Sequence, residues 1–100
     1  LGICAGMHLI GLVYGGKLKK HKQIGYFDVE FTENFLGFLG KHRIYSLHGL
    51  YVDFSKLDEF NIISYFNCPQ AVKHRNKELY GILFHPEVSN KKLVEEFISL

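Results

Sequence analysis

The alternation of apolar and polar residues divides the chain into short elements. Leu1-Gly2-Ile3 reads as the end of a buried strand. From Gly6 to Tyr14 the apolar residues Met7, Leu9, Ile10, Leu12 and Val13 recur at helical spacing, and Gly15-Gly16 supplies a C-terminal stop. Lys17 to Lys22 follows as an edge strand. Ile24 to Phe31 sets Tyr26, Asp28 and Glu30 against Phe27, Val29 and Phe31, the period of a half-buried strand. Arg43 to Leu47 and Asn61 to Phe66 are further strands, separated by polar connections. Gln70 to Lys73 and Leu79 to Phe84 flank His74-Arg75-Asn76-Lys77-Glu78, which suits a hairpin turn. After His85 to Ser89 a helix begins near Lys91, with Ser89 or Asn90 as its cap. Its Leu93, Phe97 and Leu100, with Val94 and Ile98 beside them, predict one buried stripe.

A very short strand feeding straight into a helix belongs in the middle of a parallel sheet. Such a sheet needs neighbouring strands and helices on both faces. The expectation is that residues 1–100 are part of a larger domain, with several dozen further residues upstream.

Composition narrows the class. One hundred residues suffice for one small domain. A content of 47% hydrophobic and 22% charged residues is that of a packed domain, not a disordered chain. The net charge of +2 does not imply a nucleic-acid partner, and no Arg-rich arm or base-stacking motif is present. The basic clusters Lys17 to Lys22, Lys41 to Arg43, Lys73 to Lys77 and Lys91-Lys92 are expected on solvated edges, turns and a helix start. The apolar run Leu9 to Val13 is too short to span a membrane. Cys4 and Cys68 make no disulfide framework, which points to a reducing compartment, the cytoplasm. Cys68 reads as structural, and Met7, Leu9, Tyr26 and Phe27 as core. His21, His42 and His74 lack carboxylate or thiol partners at ligand spacing, so they read as solvated and no metal site is expected.

Candidate chemistry sits at both ends of the chain. Gly2-Ile3-Cys4-Ala5-Gly6 has the form Gly-x-nucleophile-x-Gly between a strand and a helix. A nucleophile at the apex of such a turn is thrust out of the sheet in a strained conformation. The glycines allow strand and helix to approach, and the helix N-terminus favours thiolate over thiol. The N–H of Ala5 is placed to meet an oxyanion. Near the other end, an apolar strand delivers His85-Pro86-Glu87. Proline holds His85 extended, and in an extended stretch side chains two apart share a side. Glu87 is then placed to take one ring N–H of His85 and leave the other nitrogen as a base for Cys4.

These motifs resemble the class I glutamine amidotransferases. The likeness rests on Leu1-Gly2-Ile3-Cys4-Ala5-Gly6-Met7-His8 and on Tyr80-Gly81-Ile82-Leu83-Phe84-His85-Pro86-Glu87. Gly15-Gly16, His48-Gly49 and Cys68-Pro69-Gln70-Ala71 fall between them in the family's order. The resemblance implies a flavodoxin-like α/β domain with a mixed central sheet, of which this chain is the C-terminal portion. It implies a triad of Cys4, His85 and Glu87, with Ala5 at the oxyanion and Gly6, His8, Leu47 and His48 at the substrate. It implies hydrolysis of glutamine to glutamate and ammonia through a γ-glutamyl thioester, without metal or organic cofactor. A synthase domain or subunit would receive the ammonia, and Ile24 to Val29 with His48-Gly49 and Cys68-Pro69 look most like GMP synthase glutaminases.

The family's glycine-rich loop that completes the oxyanion hole is absent from these residues. His8 stands where the family has Gln, Leu47 where it has Ser, and Leu50 where an acidic residue is common. Two other readings therefore accompany the first: a cysteine hydrolase of γ-glutamyl peptides, and a catalytically inactive regulatory or docking module.

Overall fold

A computed structural model describes all of residues 1–100. Its elements run β1 (Gly2–Ile3), α1 (Ala5–Val13), β2 (Lys17–Phe35), β3 (Phe38–Asp53), β4 (Phe60–Phe66), β5 (Cys68–His74), β6 (Tyr80–Ile82), α2 (Pro86–Ser89) and α3 (Lys91–Ile98). Four strands form a mixed sheet in the order β1-β6-β5-β4, and β2 and β3 form a separate antiparallel ribbon. β1 and β6 are parallel, with Gly2 opposite Gly81 and Ile3 opposite Ile82, while β5 is antiparallel to both of its neighbours.

The sheet is buried on both faces, so its strands are apolar on both. Ala71, Ile82 and Phe84 face Val29, Phe31 and Ile44 of the ribbon and Leu93 of α3. Val72, Cys68 and Leu83 face Met7 of α1 with Val52, Phe54 and Phe60. α1 ends as Gly15-Gly16 predicts: Gly16 N–H donates to Gly11 O at 2.8 Å and Gly15 N–H to Leu12 O at 3.1 Å. Gly15 takes φ +95°, and this pair of bonds is the Schellman arrangement. No helix is long and apolar enough to cross a membrane.

The ribbon departs most from expectation. The segments read as two strands, 17–22 and 24–31, form one strand with a register slip between Lys20 and Gln23. No polar connection separates Phe31 from Arg43. β2 continues to Phe35 and returns at Phe38 through Leu36-Gly37, whose φ values of +49° and +87° make a tight hairpin turn. Leucine is a poor residue for positive φ. Here its side chain joins the core beside Phe35 and Phe38, and Asn34 Oδ1 accepts the Gly37 N–H at 3.0 Å. Packing outweighs local preference at this turn.

Three smaller expectations are also corrected. In α3 only Leu93 and Phe97 pack inward; Ile98 lies one residue round the helix from Phe97 and Leu100 lies beyond its end, so both are exposed. Asn90 takes the N-cap position of α3 but makes no side-chain cap bond: its Oδ1 accepts from Ser89 Oγ at 3.0 Å and its Nδ2 donates to Arg43 O at 3.1 Å. Leu9 and Tyr26 face outward, while Met7 and Phe27 pack inward.

Burial also gives the fold an alkaline limit. It pushes the Cys68 thiol from 9.0 up to about 11. Burial, with a hydrogen bond and the charge of Glu78, raises Tyr80 from 10.0 to about 12. Both folded values exceed the unfolded ones, so the unfolded chain loses these protons first. Their contribution is complete below pH 9 and is lost between pH 9 and 12 as each group ionises. The urea midpoint is expected to fall through this range, and less steeply in Cys68→Ala. A midpoint equally steep in both proteins would remove Cys68 from the account.

Candidate active site

β1 ends in a sharp turn. Cys4 N–H donates to Ile82 O at 2.7 Å, the last rung between β1 and β6, and the chain then enters α1. Cys4 itself takes φ +52°, ψ −103°, outside the regions a side-chain-bearing residue favours. Holding such a conformation costs on the order of 1–3 kcal/mol, supplied by the packing around it. Gly2 makes the turn possible: a Cβ there would stand 2.6 Å from Ile10 Cδ1 and 2.7 Å from the Gly6 carbonyl. Gly6 differs from the expectation, since a Cβ there meets open space. Its lack of a side chain leaves room over the first turn of α1 and is not needed for packing.

The thiol is half-buried, and its pKa is raised. Burial raises it most, the Ala5 N–H works against this, and the charge of Glu87 adds to the rise. The helix N-terminus does act on the sulfur as predicted, but desolvation outweighs it. The balance favours the protonated thiol, so use of this sulfur as a nucleophile would call for a proton acceptor.

His85 is extended, with φ −104° and ψ 97°, as Pro86 requires. Its N–H donates to Tyr45 O at 2.9 Å, anchoring it to β3. Glu87 lies in the first turn of α2 and not in an extended stretch, so it reaches the imidazole by a different route from that expected. The contact forms nonetheless: His85 Nδ1 and Glu87 Oε2 are 2.9 Å apart. An ionised carboxylate only accepts, so Nδ1 carries the hydrogen and Nε2 of a neutral ring is bare. Burial alone would raise the Glu87 pKa, but its own backbone N–H and His85 bring it below the ordinary value.

Thiol and imidazole converge on one atom, the main-chain oxygen of Leu47 in β3. Cys4 Sγ lies 3.8 Å from it and can donate to it; His85 Nε2 lies 3.3 Å from it, and with the hydrogen on Nδ1 that is an approach of two acceptors, which becomes a hydrogen bond only once Nε2 takes a proton. The ribbon thus forms the wall against which residues from β1 and from the end of β6 meet. A depression of about 340 Å³, lined by Lys22, Ile24, Leu47, His48 and Gly49, opens beside this wall.

The other expected site residues separate. Ala5 and Gly6 begin α1 directly after the thiol. His8 turns to β3, where Nε2 lies 3.1 Å from Leu50 O. His48 turns its ring inward, Nε2 lying 3.1 Å from Gln23 Oε1. Burial, then the charge of His21, lowers its pKa. His74 is corrected from solvated to buried: Nδ1 accepts N–H bonds from Asn76 at 3.0 Å and Lys77 at 3.2 Å, ordering the β5–β6 turn. Sequence reasoning misses Gln23 and Gln70. For Gln23 a signal exists, because continuing the inward phase Phe31, Val29, Phe27 back along β2 arrives at this polar residue.

Fold and sequence together define the class. The sequence matches the family "Glutamine amidotransferase class-I" over residues 1–99, and the chain belongs to that family. The glutamine-hydrolyzing GMP synthase subunit of Methanobrevibacter smithii is 40% identical over 95 residues, 88% of this chain and 50% of its own length. A crystal structure of a Thermoplasma acidophilum protein provisionally assigned as a GMP synthase subunit superimposes with a TM-score of 0.85 at 26% identity, covering 97% of this chain and 54% of that one. A glutamine amidotransferase from Thermotoga maritima shares the fold, with a TM-score of 0.74 at 21% identity over 97% of this chain and 44% of its own. The flavodoxin-like α/β fold with a mixed sheet is that of the family. The chain spans about half the length of the curated relatives it matches.

Proposed function

We propose that this chain is the catalytic half of a glutaminase that hydrolyses glutamine to glutamate and ammonia and passes the ammonia to a synthase, GMP synthase being the acceptor its relatives suggest. The observation carrying this reading is the convergence of the Cys4 thiol and the His85 imidazole on the Leu47 carbonyl, with Glu87 on the far ring nitrogen.

The chemistry follows from those contacts. On substrate binding the Cys4 proton leaves its weak contact with Leu47 O for the bare Nε2 of His85. Sulfur attacks the γ-carboxamide carbon, and the developing oxyanion is met by the Ala5 N–H. Imidazolium, held by Glu87, returns the proton to the leaving ammonia. A water activated by the same ring then cleaves the thioester to glutamate and regenerates the thiol. Gly6 leaves room for the substrate, and backbone groups at Leu47 and His48 bound the pocket. His8 takes part through the Leu50 carbonyl, which its ring holds in place. A glycine-rich oxyanion loop on residues upstream would complete the site.

The test uses the full-length protein, assayed for glutamate and ammonia from glutamine, with peptide mapping after treatment with a glutamine-like electrophile. Equal amounts of both products and labelling at Cys4 are expected. Labelling elsewhere would reject the nucleophile. Turnover of γ-glutamyl dipeptides but not glutamine would reject the substrate.

A further inference from the structure

The ribbon carries the oxygen on which thiol and imidazole meet, yet its main-chain pairing is irregular close by. The β2–β3 register slips between Lys20 and Gln23, so Gln23 opposite His48 is the first regular pair after the slip. Backbone bonds are weak determinants of strand height at such a bulge. What spans this point is a buried side-chain bridge. Gln23 is 5% exposed, His48 7% and Gln70 0%. Gln23 Oε1 accepts from His48 Nε2 at 3.1 Å and from Gln70 Nε2 at 3.2 Å. Gln70 Nε2 also reaches Phe66 O at 3.0 Å and Cys68 Sγ at 3.6 Å. One oxygen atom on β2 thereby ties β3 to the central sheet, one residue from Leu47.

We propose that Gln23 is a positioning residue: its side-chain oxygen, through His48, sets the height of β3 and so the place of the Leu47 carbonyl against Cys4 and His85. The proposal rests on the glutaminase reading above. A role in stability alone would not need the bridge at this point, since apolar groups of the same shape fill a core at least as well as a polar cluster. The cluster is also incompletely satisfied: Gln23 Nε2, His48 Nδ1 and Gln70 Oε1 have no hydrogen-bond partner. Within the protein, the Gln23 oxygen is the atom that makes both cross-strand bonds. Glutamate, which keeps that acceptor, is an adequate replacement, and methionine, which keeps the shape without it, is not.

The experiment measures kcat and KM for glutamine in the full-length protein. In Gln23→Met kcat is expected to fall roughly 30-fold, with KM changed less than about threefold, the scale of a reacting group displaced by under an ångström. Gln23→Glu is expected to recover kcat to within about fivefold of wild type, since the oxygen is retained. Phe35→Leu, a core change at the hairpin end of the ribbon and twelve residues along β2 from the bridge, serves as the stability control at a matched loss of urea midpoint; should Gln23→Met not fold, Gln23→Ala takes its place in the comparison. A fall in kcat no larger than that of Phe35→Leu would overturn the proposal, as would Gln23→Glu no better than Gln23→Met. Wild-type protein inactive on glutamine rejects the glutaminase reading and this inference with it. An active wild type with unaffected Gln23→Met rejects the inference alone.

Discussion

Replacing His85 with alanine is expected to lower kcat for glutamine hydrolysis about 10⁴-fold, the upper range for losing a general acid–base that acts in both half-reactions. The thiol makes the dependence strong. Its pKa is raised, chiefly by burial, which makes the group proposed as nucleophile depend on a base. Cys4→Ala should be at least as damaging, and the double variant no worse than Cys4→Ala, because the two groups act as one unit. Glu87 should matter less. Its side chain is 63% exposed, so water screens its charge and can take its hydrogen-bonding place. Glu87→Gln is expected to cost roughly 10- to 100-fold, below the loss of the ring it orients. Ammonia release under saturating glutamine is the measurement. A His85→Ala protein keeping a tenth of wild-type activity would end the assignment of this ring as base.

The largest effect on stability is expected at Gly2. Its missing Cβ lies where Ile10 Cδ1, at 2.6 Å, and the Gly6 main chain, at 2.7 Å, already stand. The side chain of Ile10 can turn aside, but the backbone of Gly6 cannot move without unseating α1 from β1. Gly2→Ala is expected to cost about 3 kcal/mol, the upper range for overpacking a close contact. The partner experiment is Gly6→Ala, where the added methyl meets open space. It should raise stability by about 0.5 kcal/mol, since alanine is the better helix former, while raising KM for glutamine. Urea unfolding measures both. Equal stabilities for the two variants would show that strand and helix are not held at the close approach that Gly2 permits.

Much of this arrangement is legible without coordinates. Helical spacing from Met7 to Val13 with a double glycine after it announces α1, and the apolar run before His85 announces β6. The Cys4 turn and the His85-Pro86-Glu87 segment can be recognised because each is local: the residues proposed to make the chemistry are also those that shape the backbone. The hairpin at Leu36-Gly37 is not legible, since leucine enters a left-handed turn only when a core is present to receive it. His74 reads as solvated for the same reason, because its basic neighbours in sequence give no sign of the Tyr14 and Phe60 rings beside it.

What the sequence determined by itself were the elements that short-range rules dictate: the strand-to-helix turn at Cys4, the helix stop, the proline-held histidine and the family to which these belong. Only the tertiary structure decided that thiol and imidazole share the Leu47 carbonyl as a neighbour, and that Gln23 ties that strand to the sheet. Those contacts join residues 25 to 47 positions apart. Their geometry depends on strand register and on which face each side chain takes after the slip in β2, and neither is encoded by any window of neighbouring residues.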